Sequence, residues 1–235
     1  MQIFSFQMLD STQNKAKGLI EYFNTNALNN LAFCVVADEQ TAGRGRLQRQ
    51  WQSAFGNLHC SIAVFNATLS DGLLSLLSAI CVKDAIGEYA EIKYKWPNDI
   101  MHNNAKICGI IIEKINNVHI IGVGLNVFYA PQVEGRKTTS LLQFNAVQQN
   151  ADQILVVRQF ATKICENLQH YLQLSEQVII SKWNQSALYV GQDINIQTGF
   201  NLKVNGIFLG VNSNAQAQIK LPSGKIKVID FGEIS

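Results

Sequence analysis

No two cysteines in this chain have CxxC spacing, and the five present, Cys34, Cys60, Cys81, Cys108 and Cys165, are an odd number. Most lie inside apolar runs, and no Cys/His spacing matches a zinc site. They read as reduced, buried small hydrophobes of a cytoplasmic protein, which excludes a disulfide framework. Charge is scarce as well. Charged residues make up 15% of the chain and the formal net charge is only +2, short of the basic excess of a dedicated nucleic-acid binder. The N-terminus has no basic segment followed by a long apolar one, so no signal peptide is visible, and no apolar run reaches the length of a membrane span. Internal repeats and low-complexity tracts are missing too. What remains is a globular, rather apolar chain of 235 residues, enough for one large domain or for one medium and one small domain.

The positive charge that does exist is concentrated. Gly43 to Trp51 reads Gly-Arg-Gly-Arg-Leu-Gln-Arg-Gln-Trp, directly after an apolar run. Glycine lets a backbone approach a ligand closely, and the arginine fork suits phosphate or carboxylate. Such a loop fits an anion site with a movable cover. Taken alone, a solvated basic loop is the plainer reading.

Along the chain, Met1–Leu9 reads as a short edge strand. Asp10-Ser11-Thr12 offers N-cap side chains for a helix over Lys15–Asn24. Leu31–Ala37 is a continuous apolar run suited to a buried strand, ending at Asp38-Glu39-Gln40. Asn57–Phe65 alternates, with Leu58, Cys60, Ile62 and Val64 on one face. Ser70-Asp71 caps a helix running to about Ala90, whose broad apolar stripe belongs to the core. Residues 91–127 then read as an antiparallel meander at the centre of a sheet, with strands over 91–96, 105–114 and 118–127. Pro97 stops the first, and Asn103-Asn104 and Asn116-Asn117 are turn pairs. Residues 128–150 form a long connection of the kind that often covers a site. Helices follow over 151–174 and 175–185. From Gly191 the style changes to short alternating strands, with turns at Thr198-Gly199, Asn212-Ser213-Asn214 and Pro222-Ser223-Gly224. That pattern suggests a barrel of SH3-like size.

Polar residues interrupt the apolar meander at particular points. Lys106 begins one strand, and Gly122, Gly124 and Asn126 punctuate its partner. An ammonium at the rim of a buried sheet is costly unless an anion meets it; a surface lysine at a hairpin base is the plainer reading.

The ordered set Asp10-Ser11-Thr12, Gln40, Gly43-Arg44-Gly45-Arg46, Trp51, Lys95-Trp96-Pro97-Asn98-Asp99, Lys106-Ile107-Cys108-Gly109 through Glu113, and Gly122-Val123-Gly124-Leu125-Asn126-Val127 resembles the biotin protein ligases. The likeness covers nearly the whole chain. It implies an α+β fold: a mixed-sheet catalytic domain of the biotin/lipoate-ligase type over residues 1–186, then a small SH3-like β-barrel over 187–235. It implies two half-reactions, in which biotin and MgATP give biotinyl-5′-AMP and the biotinyl group then passes to a lysine of a biotin carboxyl carrier protein domain of acetyl-CoA carboxylase.

The resemblance also assigns residues. Lys106, Arg44 and Arg46 would carry the chemistry by bringing two mutually repelling anions together. Ser11, Thr12 and Gln40 would take the ureido head of biotin, and Gln13 or its neighbour Asn14 would add a further biotin contact. Trp51 would wall its apolar part, with Arg44, Gly45, Arg46 and Lys106 completing the biotin site. Arg44, Arg46, Arg49, Asn98, Lys106 and Asn126 would contact the nucleotide, and Asp99 would stand nearest a magnesium ion.

Three departures stand out. Leu47 and Gln48 replace an arginine and a glycine of the usual loop. Gln13 stands where relatives commonly have asparagine, with Asn14 following. Only about ten residues precede Ser11, too few for the helix-turn-helix domain of some relatives, so DNA binding is not expected. An edge strand could pair with a second copy to give a homodimer. Two rival functions remain: a lipoate- or octanoyl-protein ligase on a similar fold, and a nucleic-acid module gripping phosphates through Arg44, Arg46 and Arg49.

Overall fold

The structure, a computed structural model, describes residues 1–25, 32–87, 91–199 and 202–234. Strand β1 (Gln2–Leu9) runs parallel to β2 (Phe33–Gln40), with helix α1 (Thr12–Thr25) crossing between them. The helix starts earlier than expected, directly after Ser11, whose hydroxyl accepts from the Gln13 amide at 3.2 Å. β2 runs on through Asp38-Glu39-Gln40, which the sequence reading took as its end. Parallel pairing with β1 continues there, at Met8–Glu39 and Leu9–Gln40, and holds the polar tail in the sheet. The expected start of this strand, Leu31, lies outside the described residues.

β3 (Leu58–Phe65) follows, then α2 (Asp71–Ile86). Ser70 caps α2 by accepting from the Leu73 amide, and Gly87 closes it at φ 77°. The last part of the helix expected here, residues 88–90, lies outside the described residues. The meander is present, with four strands instead of three: β4 (Ile92–Lys95), β5 (Asp99–His102), β6 (Ala105–Ile115) and β7 (Val118–Leu125). Asn103, Asn104 and Asn116 take positive φ at its turns, a conformation that asparagine tolerates.

The sheet order is β1-β2-β3-β7-β6-β5-β4. The meander therefore runs inward from an edge and is not central: β7 is the middle strand because β3 pairs antiparallel along its whole length. The outer strand β4 is covered by the chain at Ser186–Leu188, which exchanges hydrogen bonds with Tyr94.

Helices α3 (Gln153–Tyr171) and α4 (Glu176–Gln185) complete the layer begun by α2. Alternation decides which side chains face it. Leu58, Cys60, Ile62 and Val64 of β3, with Ile121, Val123 and Leu125 of β7, pack into the large core beneath α2 and α3. Phe33, Val35, Ala63 and Ile120 pack against Ala16 and Ile20 of α1 on the opposite face. β2 is buried on both faces, which is why it reads as an unbroken apolar run.

The C-terminal strands β8 (Asp193–Gly199), β9 (Leu202–Val211), β10 (Ala217–Lys220), β11 (Ile226–Ile229) and β12 (Glu233–Ile234) form a second sheet, ordered β11-β10-β9-β8-β12. The expected closed barrel is not found: among the described residues no pairing joins the outer strands β11 and β12. The inner face of this sheet, including Ile194, Ile196, Phe208 and Ile219, belongs to the same buried cluster as α2 and β6. Trp96 donates to the Ala215 carbonyl at 3.0 Å, and Asn184 brackets Val211 with two hydrogen bonds. No helix among the described residues is long and apolar enough to cross a membrane.

Candidate active site

On the α1 side of the sheet, three glycines line up where side chains would otherwise stand: Gly122 and Gly124 on β7, and Gly109 on β6 directly opposite Gly124. Each makes room for side chains that a Cβ would crowd. A Cβ at Gly122 would sit 2.7 Å from Ile111 Cγ1 and 3.2 Å from the Gln13 amide carbon. One at Gly109 would meet Lys106 Nζ at 3.0 Å and the Trp51 ring at 3.2 Å, and one at Gly124 would run into the Trp51 indole. The floor is thus flat backbone, and three side chains from distant parts of the chain lie over it in sequence.

The Gly/Arg loop supplies the middle one. It folds back on itself: Gly45 N–H donates to Arg49 O at 2.7 Å, and Trp51 N–H to Gly43 O at 2.9 Å. At the tip, Leu47 and Gln48 hold φ of 54° and 59°, where a non-glycine residue is strained. The loop still closes in spite of these two departures.

Each of its arginines has a protein partner. Arg44 donates to Asn14 Oδ1 at 2.7 Å and lies 3.5 Å from Glu113. Arg46 donates to Asn98 Oδ1 at 2.9 Å, and burial pulls its pKa below the usual arginine value. Arg49 pairs with Glu233 at 2.6 Å, and Arg136 pairs with the other oxygen of that carboxylate at 2.7 Å. Burial acts to raise the pKa of Glu233. The hydrogen bond from Arg49 and the charges of Arg136, Arg49 and Lys95 outweigh it and hold the carboxyl below its ordinary value.

One end of the groove is a polar network. Gln40 Oε1 accepts from Thr12 N–H at 2.8 Å and from its hydroxyl at 3.1 Å, while Gln40 Nε2 donates to Ser53. Ser61 donates to Thr12 Oγ1 at 2.8 Å. Gln13, 3% exposed, leaves its Oε1 buried without a partner. Such an orphan acceptor is costly unless something donates to it.

The other end is cationic. Lys106 Nζ pairs with Asp99 Oδ1 at 2.6 Å and stands 5.7 Å from the Trp51 ring centroid. Asn98 is fixed by its own Nδ2 donating to Ile110 O. The connection after β7 forms the wall here: Lys106 N–H donates to Lys137 O, and Thr139 N–H to Lys106 O. Asn126 Nδ2 donates to Thr139 O at 3.0 Å, which leaves its Oδ1 a second buried orphan.

Every residue singled out from sequence, Ser11, Thr12, Gln13, Gln40, Arg44, Gly45, Arg46, Arg49, Trp51, Asn98, Asp99, Lys106 and Asn126, lines one cavity of about 360 Å³. That volume falls within the range of small-molecule sites. Asp99 is held by Lys106, and no cluster of three or more His, Cys, Asp or Glu able to hold a metal exists among the described residues. Sequence reasoning missed Ser61 and His59, polar members of the otherwise apolar β3. Their alternate positions in a buried strand were the available signal. It also missed Arg136 and Glu233, which only tertiary folding brings to the loop.

A model of the biotin/lipoate A/B protein ligase family matches residues 5–127. Over 216 residues the chain is 32% identical to the bifunctional ligase/repressor BirA of Bacillus subtilis strain 168, covering 86% of this chain but 63% of that one; it thus spans less than two thirds of that relative. It is 26% identical to the biotin–[acetyl-CoA-carboxylase] ligase of Mycobacterium tuberculosis, covering 85% of this chain and 77% of that one. Its fold matches the biotin protein ligase from Aquifex aeolicus in complex with biotin and ATP at a TM-score of 0.80, with 28% identity and coverage of 100% and 97%.

Proposed function

Because the chain belongs to the biotin/lipoate A/B protein ligase family, we propose that it is an ATP-dependent biotin–protein ligase, joining biotin and ATP into biotinyl-5′-AMP and passing the biotinyl group to the target lysine of a biotin carboxyl carrier protein domain of acetyl-CoA carboxylase. The observation that carries this reading is the order of groups along the glycine floor: Gln13 over Gly122, the Trp51 indole over Gly124, and Lys106 at Gly109. Gly122 and Gly124, alternate residues of one strand, lie roughly 7 Å apart, and Gly109 stands across from Gly124 on the neighbouring strand, so amide, aromatic and ammonium all fall within the scale of a small acid. Biotin has the matching order of ureido head, apolar rings and chain, and carboxylate.

The head group separates biotin from lipoate. The orphan Gln13 Oε1 needs a donor; a ureido N–H provides one and a dithiolane does not. Against the nucleic-acid reading, Arg44, Arg46 and Arg49 each have a protein partner and line the cavity.

In the first half-reaction a biotin carboxylate oxygen attacks the α-phosphorus of ATP and pyrophosphate leaves. Lys106 offsets the repulsion between the two anions and steadies the charge that develops. Arg46 and Arg44, with Gly45 between them, close the loop over the mixed anhydride and keep water out. Asn98 and Asn126 hold the nucleotide side, the latter offering its unpartnered Oδ1 to a ribose or adenine donor. Asp99, through the oxygen not paired with Lys106, would hold a magnesium ion together with substrate phosphates, and the ion would offset the charge of the leaving pyrophosphate. In the second half-reaction the acceptor amine attacks the carbonyl of the anhydride and AMP leaves. We place the enzyme in the cytoplasm, where its five free cysteines stay reduced, and we read the C-terminal sheet as an SH3-sized module.

The test is pyrophosphate–ATP exchange with and without biotin, followed by transfer of labelled biotin to a carrier domain. Biotin-dependent exchange is expected; exchange driven by lipoate alone would replace this reading with the lipoate ligase.

A further inference from the structure

Trp51 can wall the groove only if the indole stays flat on the glycine floor, and nothing covalent keeps it there. One buried side chain does the holding. His59 lies on β3, opposite Gly124 in the register and 1% exposed. Its Nδ1 is 3.3 Å from Trp51 Nε1, and its Nε2 is 3.3 Å from the Ala54 carbonyl oxygen. The indole N–H can only donate and the carbonyl can only accept. These two partners together fix the tautomer, with the proton on Nε2 and the lone pair on Nδ1. Trp51 and Ala54 bracket the stretch that leads from the Gly/Arg loop back to β3, so one ring anchors that stretch at both places.

We propose that His59 is a positioning residue of the adenylation reaction, a neutral imidazole that accepts the Trp51 N–H and so sets the loop over the substrate groove. The proposal rests on the ligase reading above. Burial pushes the His59 pKa down to about 4, so the accepting form persists throughout the neutral range. Protonation would turn Nδ1 into a second donor facing the indole N–H. His59 touches no reacting atom; it acts through Trp51, and Trp51 carries the effect to the ring-stacked Lys106.

The chain has three tryptophans, so its ¹H–¹⁵N spectrum holds three indole N–H signals, and Trp51→Phe identifies the one in question. In ligand-free His59→Phe, the Trp51 signal should shift and exchange faster with solvent, while those of Trp96 and Trp183 stay in place. Biotin KM should rise roughly five- to tenfold, the equivalent of one neutral hydrogen bond, with a smaller change in kcat. His59→Asn puts an acceptor back near the Nδ1 position and should restore both signal and KM. His59→Gln places its amide near Nε2 instead; it should keep the Ala54 contact, fail to restore Trp51, and serve in place of the phenylalanine variant if that one does not fold. An unmoved Trp51 signal in the phenylalanine or glutamine variant, or an asparagine variant as impaired as these, overturns the proposal. Absence of biotin-dependent exchange in the unaltered enzyme would instead sink the ligase reading, and the spectra would still decide whether His59 holds Trp51.

Discussion

Lys106 Nζ and Asp99 Oδ1 lie 2.6 Å apart, with side chains 18% and 13% exposed. The pair spans β5 and β6 at the cationic end of the groove. The carboxylate fixes the direction of the ammonium, and an arriving carboxylate or phosphate finds that charge already oriented. Preorganisation of this kind is what makes a charge effective in a transition state.

Lys106→Ala removes that charge and leaves Asp99 half-enclosed without its partner. Pyrophosphate–ATP exchange should fall by about a hundredfold or more, while circular dichroism stays native. Exchange near the level of the unaltered enzyme would refute the role.

Arg46→Gly cuts the link from the loop to Asn98. The adenylate should form and then escape, labelling unrelated amines in the solution. Trapping released biotinyl-AMP with hydroxylamine measures this. Retention equal to that of the parent enzyme would show that the loop is no lid.

Gly124→Ala places a methyl group against the Trp51 indole. Calorimetric titration should show biotin affinity reduced by about tenfold or more, since overpacking commonly costs 1–3 kcal/mol. Unchanged binding would mean that the indole does not lie on this floor when ligand is present.

Glu233 should give the tie between loop and C-terminal strand a recognisable pH dependence. Its folded pKa lies below the ordinary value of 4.5, so the unfolded chain takes up the proton first as acid is added. Its contribution is fully present above that value and is lost as pH falls through the lower, folded pKa. Glu233→Gln should flatten this acid limb in urea unfolding and let trypsin cut faster at Arg49. An unchanged limb together with unchanged cleavage would count against the tie.

Much of this site was legible before folding was considered, because its chemistry travels in short ordered motifs. Gly43 to Trp51, Lys95 to Asp99 and Gly122 to Asn126 each sit within one turn or strand, so local spacing preserves them. The alternation of β3 likewise gave the correct core face. Illegible parts depend on contacts that no local pattern encodes. Whether β4 or β7 is central depends on where β3 joins, and β3 pairs with β7, from Leu58 with Leu125 to Phe65 with Val118, across more than fifty intervening residues. The tail of β2 is polar and stays in the sheet only because β1 pairs with it. Glu233 reaches Arg49 across 184 positions. Short alternating strands promise a barrel, but closure rests on the outermost pairing, and strand pattern says nothing about that.

Leu47 and Gln48 leave the loop tip wound like a spring. A left-handed backbone costs roughly 1–2 kcal/mol at each non-glycine residue, so the closed bend is under tension that a glycine would not carry. The chain's own contacts hold the bend shut, Gly45 N–H to Arg49 O, Arg46 to Asn98 and Arg49 to Glu233. A glycine at position 48 would relieve part of that tension, so the tip as it stands is primed to spring open when those ties are cut.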